Sequence, residues 1–171
     1  MKKHAVLLMA GLAFVAPLQA AELSIKLELP QLQVAEYHRP YLAVWLEPAT
    51  GGPATQLAVW YDQKKKDNGG TKWLKDLRQW WRKGGRDLSM PLDGVTSATR
   101  APGMHTLTYV VGKSPLETLP AGEYVLQVEA SREGGGREVV KLPFAWPVKA
   151  ARTVQEKGQE ELGQVSLQLK P

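Results

Sequence analysis

The 171-residue chain contains no cysteine, which excludes disulfides and thiolate metal ligands and leaves an ordinary apolar core to hold the fold together. It has only three histidines. His38 and His105 are far apart and neither has a partner at a metal-ligand spacing such as His-x-x-x-His, so each reads as a lone exposed or capping side chain. Charge of one sign is lacking too: without Lys2 and Lys3 the chain carries 20 basic side chains against 17 acidic, a smaller excess than a nucleic-acid-binding protein shows. No Gly-x-Ser-x-Gly setting frames a serine nucleophile. No glycine-rich loop links a strand to a helix around a phosphate, and no two carboxylates can be placed in one site. These absences argue against a self-contained enzyme. Beyond the first 20 residues no apolar run approaches the length of a membrane helix.

What is present begins with an export signal. Lys2 and Lys3 form a basic start, Ala5 to Val15 an apolar stretch, and Ala16-Pro17-Leu18-Gln19-Ala20 a small-residue end, predicting a cleavable signal peptide over residues 1–20, with the cut after Ala20 or Ala21. With no lipobox cysteine and no second span, the expected location is the periplasm. Residues 21–171, about 150 in number, suffice for one domain with its own core.

Within that domain, apolar and polar residues alternate over Leu23 to Leu29, and Tyr41 to Glu47 and Gln56 to Tyr61 read as a hairpin joined by the Gly-rich turn Pro48 to Pro53. Further strands are expected at His105 to Val111, Glu123 to Ala130, Glu138 to Trp146 and Gln164 to Lys170. Pro143 and Pro147 place edges or bulges around the last two. Gly134-Gly135-Gly136 is a hairpin turn, Lys64-Lys65-Lys66 a solvated hairpin tip, and Glu156 to Glu161 a solvated connection. Seven short strands with turn signals predict a mainly β protein, an immunoglobulin-like antiparallel β-sandwich. One short Trp-rich helix interrupts it: over Thr71 to Lys83, the residues Trp73, Leu74, Leu77, Trp80 and Trp81 share a helical face, Thr71 is a candidate N-cap, and Gly84-Gly85 can end the helix. Its tryptophans are expected to close the open edge or end of the sandwich, with part of their surface left for a ligand ring.

The loop Asp93-Gly94-Val95-Thr96-Ser97-Ala98-Thr99 carries the sharpest functional signal. Asp93, Thr96, Ala98 and Thr99 resemble the motif at which periplasmic flavin transferases attach FMN to threonine through a phosphoester, with Ser97 where that motif usually has glycine. The alternative is a turn-rich loop whose hydroxyls bond nearby backbone groups. The resemblance implies Thr99 as the attachment point, Asp93 and Thr96 as recognition residues for the transferase, Ser97 and Ala98 as small neighbours that give it access, and Arg100 as a guanidinium partner for the flavin phosphate.

A wider resemblance runs along the chain. Arg39 to Glu47, Leu57 to Trp60, Lys72 to Trp81, Asp93 to Gly103 and Leu119 to Tyr124 together resemble a family of predicted periplasmic proteins, domain-of-unknown-function family 2271. Its members look like small secreted β-sandwich domains encoded near flavin transferases and PepSY-type membrane proteins. Pro120 to Val128 also looks like the turn-then-strand element of bacterial immunoglobulin-like modules, with Tyr124 tucked against the strand. Together these imply a periplasmic redox carrier with covalent FMN on Thr99, a flavin transferase and a PepSY-type membrane oxidoreductase as partners, and neither nucleic acid nor an integral membrane span in the mature chain. The competing reading is a non-redox binding or assembly module that recruits a partner through a sandwich edge or its Trp-rich end.

Overall fold

The computed structural model describes residues 20–171; apart from Ala20, the expected signal segment lies outside the described residues. Nine strands form two sheets among them: β1 (Glu22–Leu29), β2 (Tyr41–Pro48), β3 (Thr55–Tyr61), β4 (Thr96–Ala98), β5 (Gly103–Val110), β6 (Gly122–Ser131), β7 (Arg137–Trp146), β8 (Arg152–Lys157) and β9 (Gln164–Lys170). The four-stranded sheet runs β5-β1-β9-β8 and the five-stranded sheet β4-β3-β2-β6-β7. All pairings are antiparallel except β3 with β4. The expected mainly β, two-sheet architecture is therefore found, with two more strands than the sequence pattern shows. β8 is almost wholly polar and exposed, and β4 has only three residues, too few for a period-2 pattern.

The alternation in β1 and β9 explains the main core. Leu23, Ile25, Leu27 and Leu29 point inward beside Val165, Leu167 and Leu169, facing Leu42, Val44, Leu126, Val128 and Leu142 of the other sheet. Tyr124 packs there as expected: its hydroxyl donates to the Pro120 carbonyl at 2.7 Å and its ring stacks on Phe144. β7 is an edge, where Pro143 costs no second ladder bond, but β9 is internal and β8 takes the outer place.

β2 and β3 differ from β1 in being buried on both faces. Ala43, Trp45, Val59 and Tyr61 point away from the inter-sheet core into a second cluster with Leu74, Leu77, Trp80 and Val95. That cluster lies under the chain between β3 and β4, so the Trp-rich segment covers the outer face of the five-stranded sheet instead of closing its edge. The segment is also not one α-helix: a 3-10 segment spans Lys66–Asp76, kinked at the left-handed Asp67 and Asn68 (φ 53° and 55°), and the α-helix α1 covers only Arg78–Arg82. The buried residues are Leu74 in the 3-10 segment, Leu77 at the break between the two and Trp80 in α1. Trp73, expected on the same face, is left 42 % exposed.

Two details fix this cover in place. Thr71 is not an N-cap, since its hydroxyl donates to the Asn68 carbonyl. The first amides of α1 are met from another strand instead: Gln79 N and Trp80 N donate to the Glu129 carboxylate of β6 at 3.1 and 2.7 Å, and Arg137 Nη1 donates to it at 3.0 Å. Glu129 is fully buried, so these charge-assisted bonds offset its desolvation. Gly84 ends the helix as expected. Lys64–Lys66 is exposed but begins the crossover to the parallel β4, so it is not a hairpin tip.

Candidate functional site

The Asp93 loop is more ordered than its composition suggests. Gly94, at φ 72°, supplies the left-handed residue of a turn closed by Val95 N and Thr96 N donating to the Leu92 carbonyl at 3.2 and 2.9 Å. The Thr96 hydroxyl is shared with the same residue, accepting from Leu92 N and donating to Leu92 O, each at 2.6 Å. Thr96, Ser97 and Ala98 then join the sheet as β4, opposite Val59, Trp60 and Tyr61. The loop read from the sequence is thus a tight turn followed by an edge strand, and the Thr96 hydroxyl bonds nearby backbone groups. Asp93 and Ala98 are exposed, and Thr99, half-buried, is the first residue past the ladder. The Ser97 Oγ is buried without a hydrogen-bond partner.

Thr99 and Arg100 part company at this point. Arg100 lies over the Trp60 ring, its guanidinium carbon 4.1 Å from the centroid, and His105 meets Trp60 edge-on and contacts the Ala101 carbonyl at 2.8 Å. Trp60 belongs to the inter-sheet core. Thr99 instead lines a cleft of about 230 Å³ with Tyr37, His38, Arg39, Tyr41, Asp62, Lys65 and Glu133. Asp93, Thr96, Ser97, Ala98 and Arg100 are all outside the cleft lining; only Thr99 of the motif reaches it.

Each wall of the cleft has a structural origin. Arg39 and Tyr41 enter β2 around Pro40, Asp62 and Lys65 follow β3, and Glu133 sits in the β6–β7 hairpin. Tyr41 Oη donates to the Gly70 carbonyl at 3.2 Å, tying the 3-10 segment to the start of β2. Gly70 has no room for a side chain, because a Cβ there would collide with the Asp62 carbonyl. Of the two carboxylates, Asp62 Oδ1 accepts from Lys64 N at 3.0 Å, and Glu133 makes only a weak pair, 3.8 Å from Lys65 Nζ. Burial pushes the Tyr41 phenol above its ordinary value, and does the same at Tyr37, where Arg132 and Arg39 oppose the shift and Glu161 adds to it. Both are therefore neutral hydrogen-bonding groups at physiological pH.

A second cleft adjoins the first and shares Arg39, Tyr41 and Glu133 with it; its other walls include Trp73 and Asp76. Lys65 links the two, since it lines the Thr99 cleft and its Nζ stands 5.6 Å from the Trp73 ring centroid. Beyond Trp73 an open, polar depression of about 450 Å³ continues between Arg78 and the glycines of the β6–β7 hairpin. Arg132, at its edge, is committed to Glu161 through a bidentate pair at 2.9 and 3.0 Å. Glu161 is only 3 % exposed, so the expected solvated connection over 156–161 is in part a buried clasp.

Sequence reasoning missed Tyr37, Arg39, Tyr41, Asp62, Lys65 and Glu133 as site residues, because they come from three separate connections. One signal was available: three of the blocks that carry the family resemblance, Arg39 to Glu47, Lys72 to Trp81 and Asp93 to Gly103, each supply a residue to this pair of clefts.

Among the described residues no group of three or more His, Asp or Glu side chains stands in an arrangement suited to a metal ion, and no helix is long and apolar enough to cross a membrane. No curated protein and no solved structure matches the chain. A family model does, over residues 22–164, nearly the whole described chain, and the chain belongs to the family it defines, described as predicted periplasmic protein (DUF2271).

Proposed function

We propose that this chain is a periplasmic electron-transfer protein, exported by a cleavable signal peptide, that carries FMN as a phosphoester on Thr99, installed by a flavin transferase. The observation that carries the reading is the placement of Thr99: a half-buried hydroxyl residue just past an edge strand, on the wall of a cleft that also holds Arg39 and Lys65. The donor set suits the group. A guanidinium and an ammonium match a phosphoester, and two neutral tyrosines and an exposed indole offer aromatic surface. Arg39 and Lys65 take the phosphate role that Arg100, stacked on Trp60, does not fill.

Access for the transferase has a physical basis too. β4 pairs on one side only, so its outer edge leaves backbone groups free for an extended contact. Ala98 keeps that edge slim, and the buried Ser97 Oγ does not project into it. The Thr99 oxygen forms the new bond to phosphorus. The pyrophosphate bond of a flavin dinucleotide donor breaks, the nucleoside monophosphate leaves with the electron pair, and the hydroxyl proton passes to solvent. The flavin, once attached, supplies the electron chemistry, while the chain supplies attachment and orientation. A PepSY-type membrane oxidoreductase is the electron partner that fits this reading.

The test is co-expression in the periplasm with a flavin transferase, followed by intact mass and visible spectrum of wild type and Thr99→Ala. The wild type is expected yellow and heavier by one FMN, and the variant colourless and unmodified. The second reading, a non-redox immunoglobulin-like binding module, draws on exposed Trp73 and the open β4 edge; it is favoured by a colourless wild type indifferent to Thr99→Ala.

A further inference from the structure

We infer that Trp73 is the platform on which the isoalloxazine ring of a Thr99-linked FMN stacks, and that Lys65 leaves the indole face to meet the flavin phosphate. This rests on the flavin reading above and deepens it by assigning the ring a place. A single exposed aromatic needs no explanation by itself. Trp73 has three further features. It is held on a fixed base, because the adjacent Leu74 and nearby Leu77 are buried against the five-stranded sheet and Tyr41 Oη anchors the 3-10 segment at Gly70. It lines a cleft whose walls Arg39, Tyr41 and Glu133 are also walls of the Thr99 cleft, so the ring and the tether lie in adjoining clefts. And its face is covered by a group that a phosphate would attract.

That group is the Lys65 ammonium, 5.6 Å from the indole centroid. Its two contacts in the structure are weak: a cation–π contact at an exposed ring, and a 3.8 Å pair with Glu133 in which both side chains are about half exposed. The phosphodiester monoanion on neighbouring Thr99 offers charge-assisted hydrogen bonds that are stronger than either. The flexible lysine stem can follow it. Moving the ammonium to the phosphate uncovers the indole face at the moment a planar ring arrives, and an offset stack between two large aromatic faces then replaces the cation–π contact.

The experiment uses the full chain loaded with FMN by co-expression with a flavin transferase, as wild type and as Trp73→Leu, with FMN stoichiometry read from intact mass. A flavin stacked on indole is quenched by electron donation from the ring. At equal loading, Trp73→Leu is therefore expected to raise flavin fluorescence severalfold and to remove most of the visible circular dichroism of the bound ring. Met104→Leu, at an exposed residue away from the clefts, is expected to change neither. Equal fluorescence and dichroism in fully loaded wild type and Trp73→Leu overturn the stacking role and leave the attachment at Thr99 standing. A loaded wild type beside an unloaded Trp73→Leu overturns it as well, placing Trp73 in transferase recognition. An unmodified wild type takes down both.

Discussion

The two sheets of this sandwich turn opposite outer faces to the surroundings. Outside the four-stranded sheet, Ser24, Lys26, Thr153, Ser166 and Gln168 form a shallow polar surface, the usual solvated side of an antiparallel sheet. Outside the five-stranded sheet, Ala43, Trp45, Val59 and Tyr61 are buried under a 3-10 segment and a five-residue helix. The candidate site lies where that cover stops, at Gly70, Trp73 and the start of β2. A bare sheet face provides no walls for a cofactor and a fully covered one no opening. The rim of a partial cover provides both, and Thr99 emerges from β4 at that rim.

The largest effect is expected on the covered side. Trp80 is fully buried between α1 and the sheet, and its Nε1 donates to Gln56 Oε1 at 2.6 Å. Trp80→Ala is expected to cost about 3–5 kcal/mol in chemical denaturation. A loss under about 1 kcal/mol would show that the cover is not integral to the fold.

A middling effect is expected at Glu138, which clasps the connection between β8 and β9. Burial raises the carboxyl's affinity for a proton, but amides of Gln159, Leu162, Glu160 and Glu161 all donate to it and outweigh burial, holding it below the usual carboxylate range. Because its pKa is lowered in the folded state, the stabilisation is complete above the ordinary carboxyl value and is lost as pH falls through the lower, folded one. Glu138→Gln is expected to cost about 1–2 kcal/mol at pH 7, with the gap to wild type closing below about pH 4. A gap that persists unchanged into acid would contradict this origin.

The smallest effect belongs to the open polar face. Gln168→Ala is expected within about 0.5 kcal/mol of wild type, and a larger loss would mean that this face, too, is covered in the native protein.

Much of the fold was legible because it depends on local pattern. The alternation of β1 and β9, the Gly-rich hairpin turns and the Tyr124 corner all appear in the structure where the chain predicts them. The Trp-rich segment was legible as an amphipathic cover but not in its geometry. Leu74, Leu77 and Trp80 also fit one helical face, but the segment breaks at Leu77 and its partners are tertiary: Gly70 packs on the Asp62 carbonyl, and Glu129, about fifty residues away, accepts the amides of α1. β4 was illegible because three residues of a parallel edge strand carry no periodic signal. At the candidate site, the resemblance in the loop singles out Thr99, whereas the cations Arg39 and Lys65 come to the same cleft through topology and Arg100 lies over Trp60 instead.

The central claim concerns one oxygen atom, and fragment-ion mass spectrometry of the co-expressed protein reads it directly. Trypsin releases Asp87 to Arg100 as one peptide, in which Ser89, Thr96, Ser97 and Thr99 are the hydroxyl residues. The account predicts FMN on Thr99, since the Thr96 hydroxyl is bonded to the Leu92 backbone and the Ser97 oxygen is buried. FMN on any other hydroxyl, or a peptide without FMN from cells in which the transferase modifies a known acceptor, would contradict it.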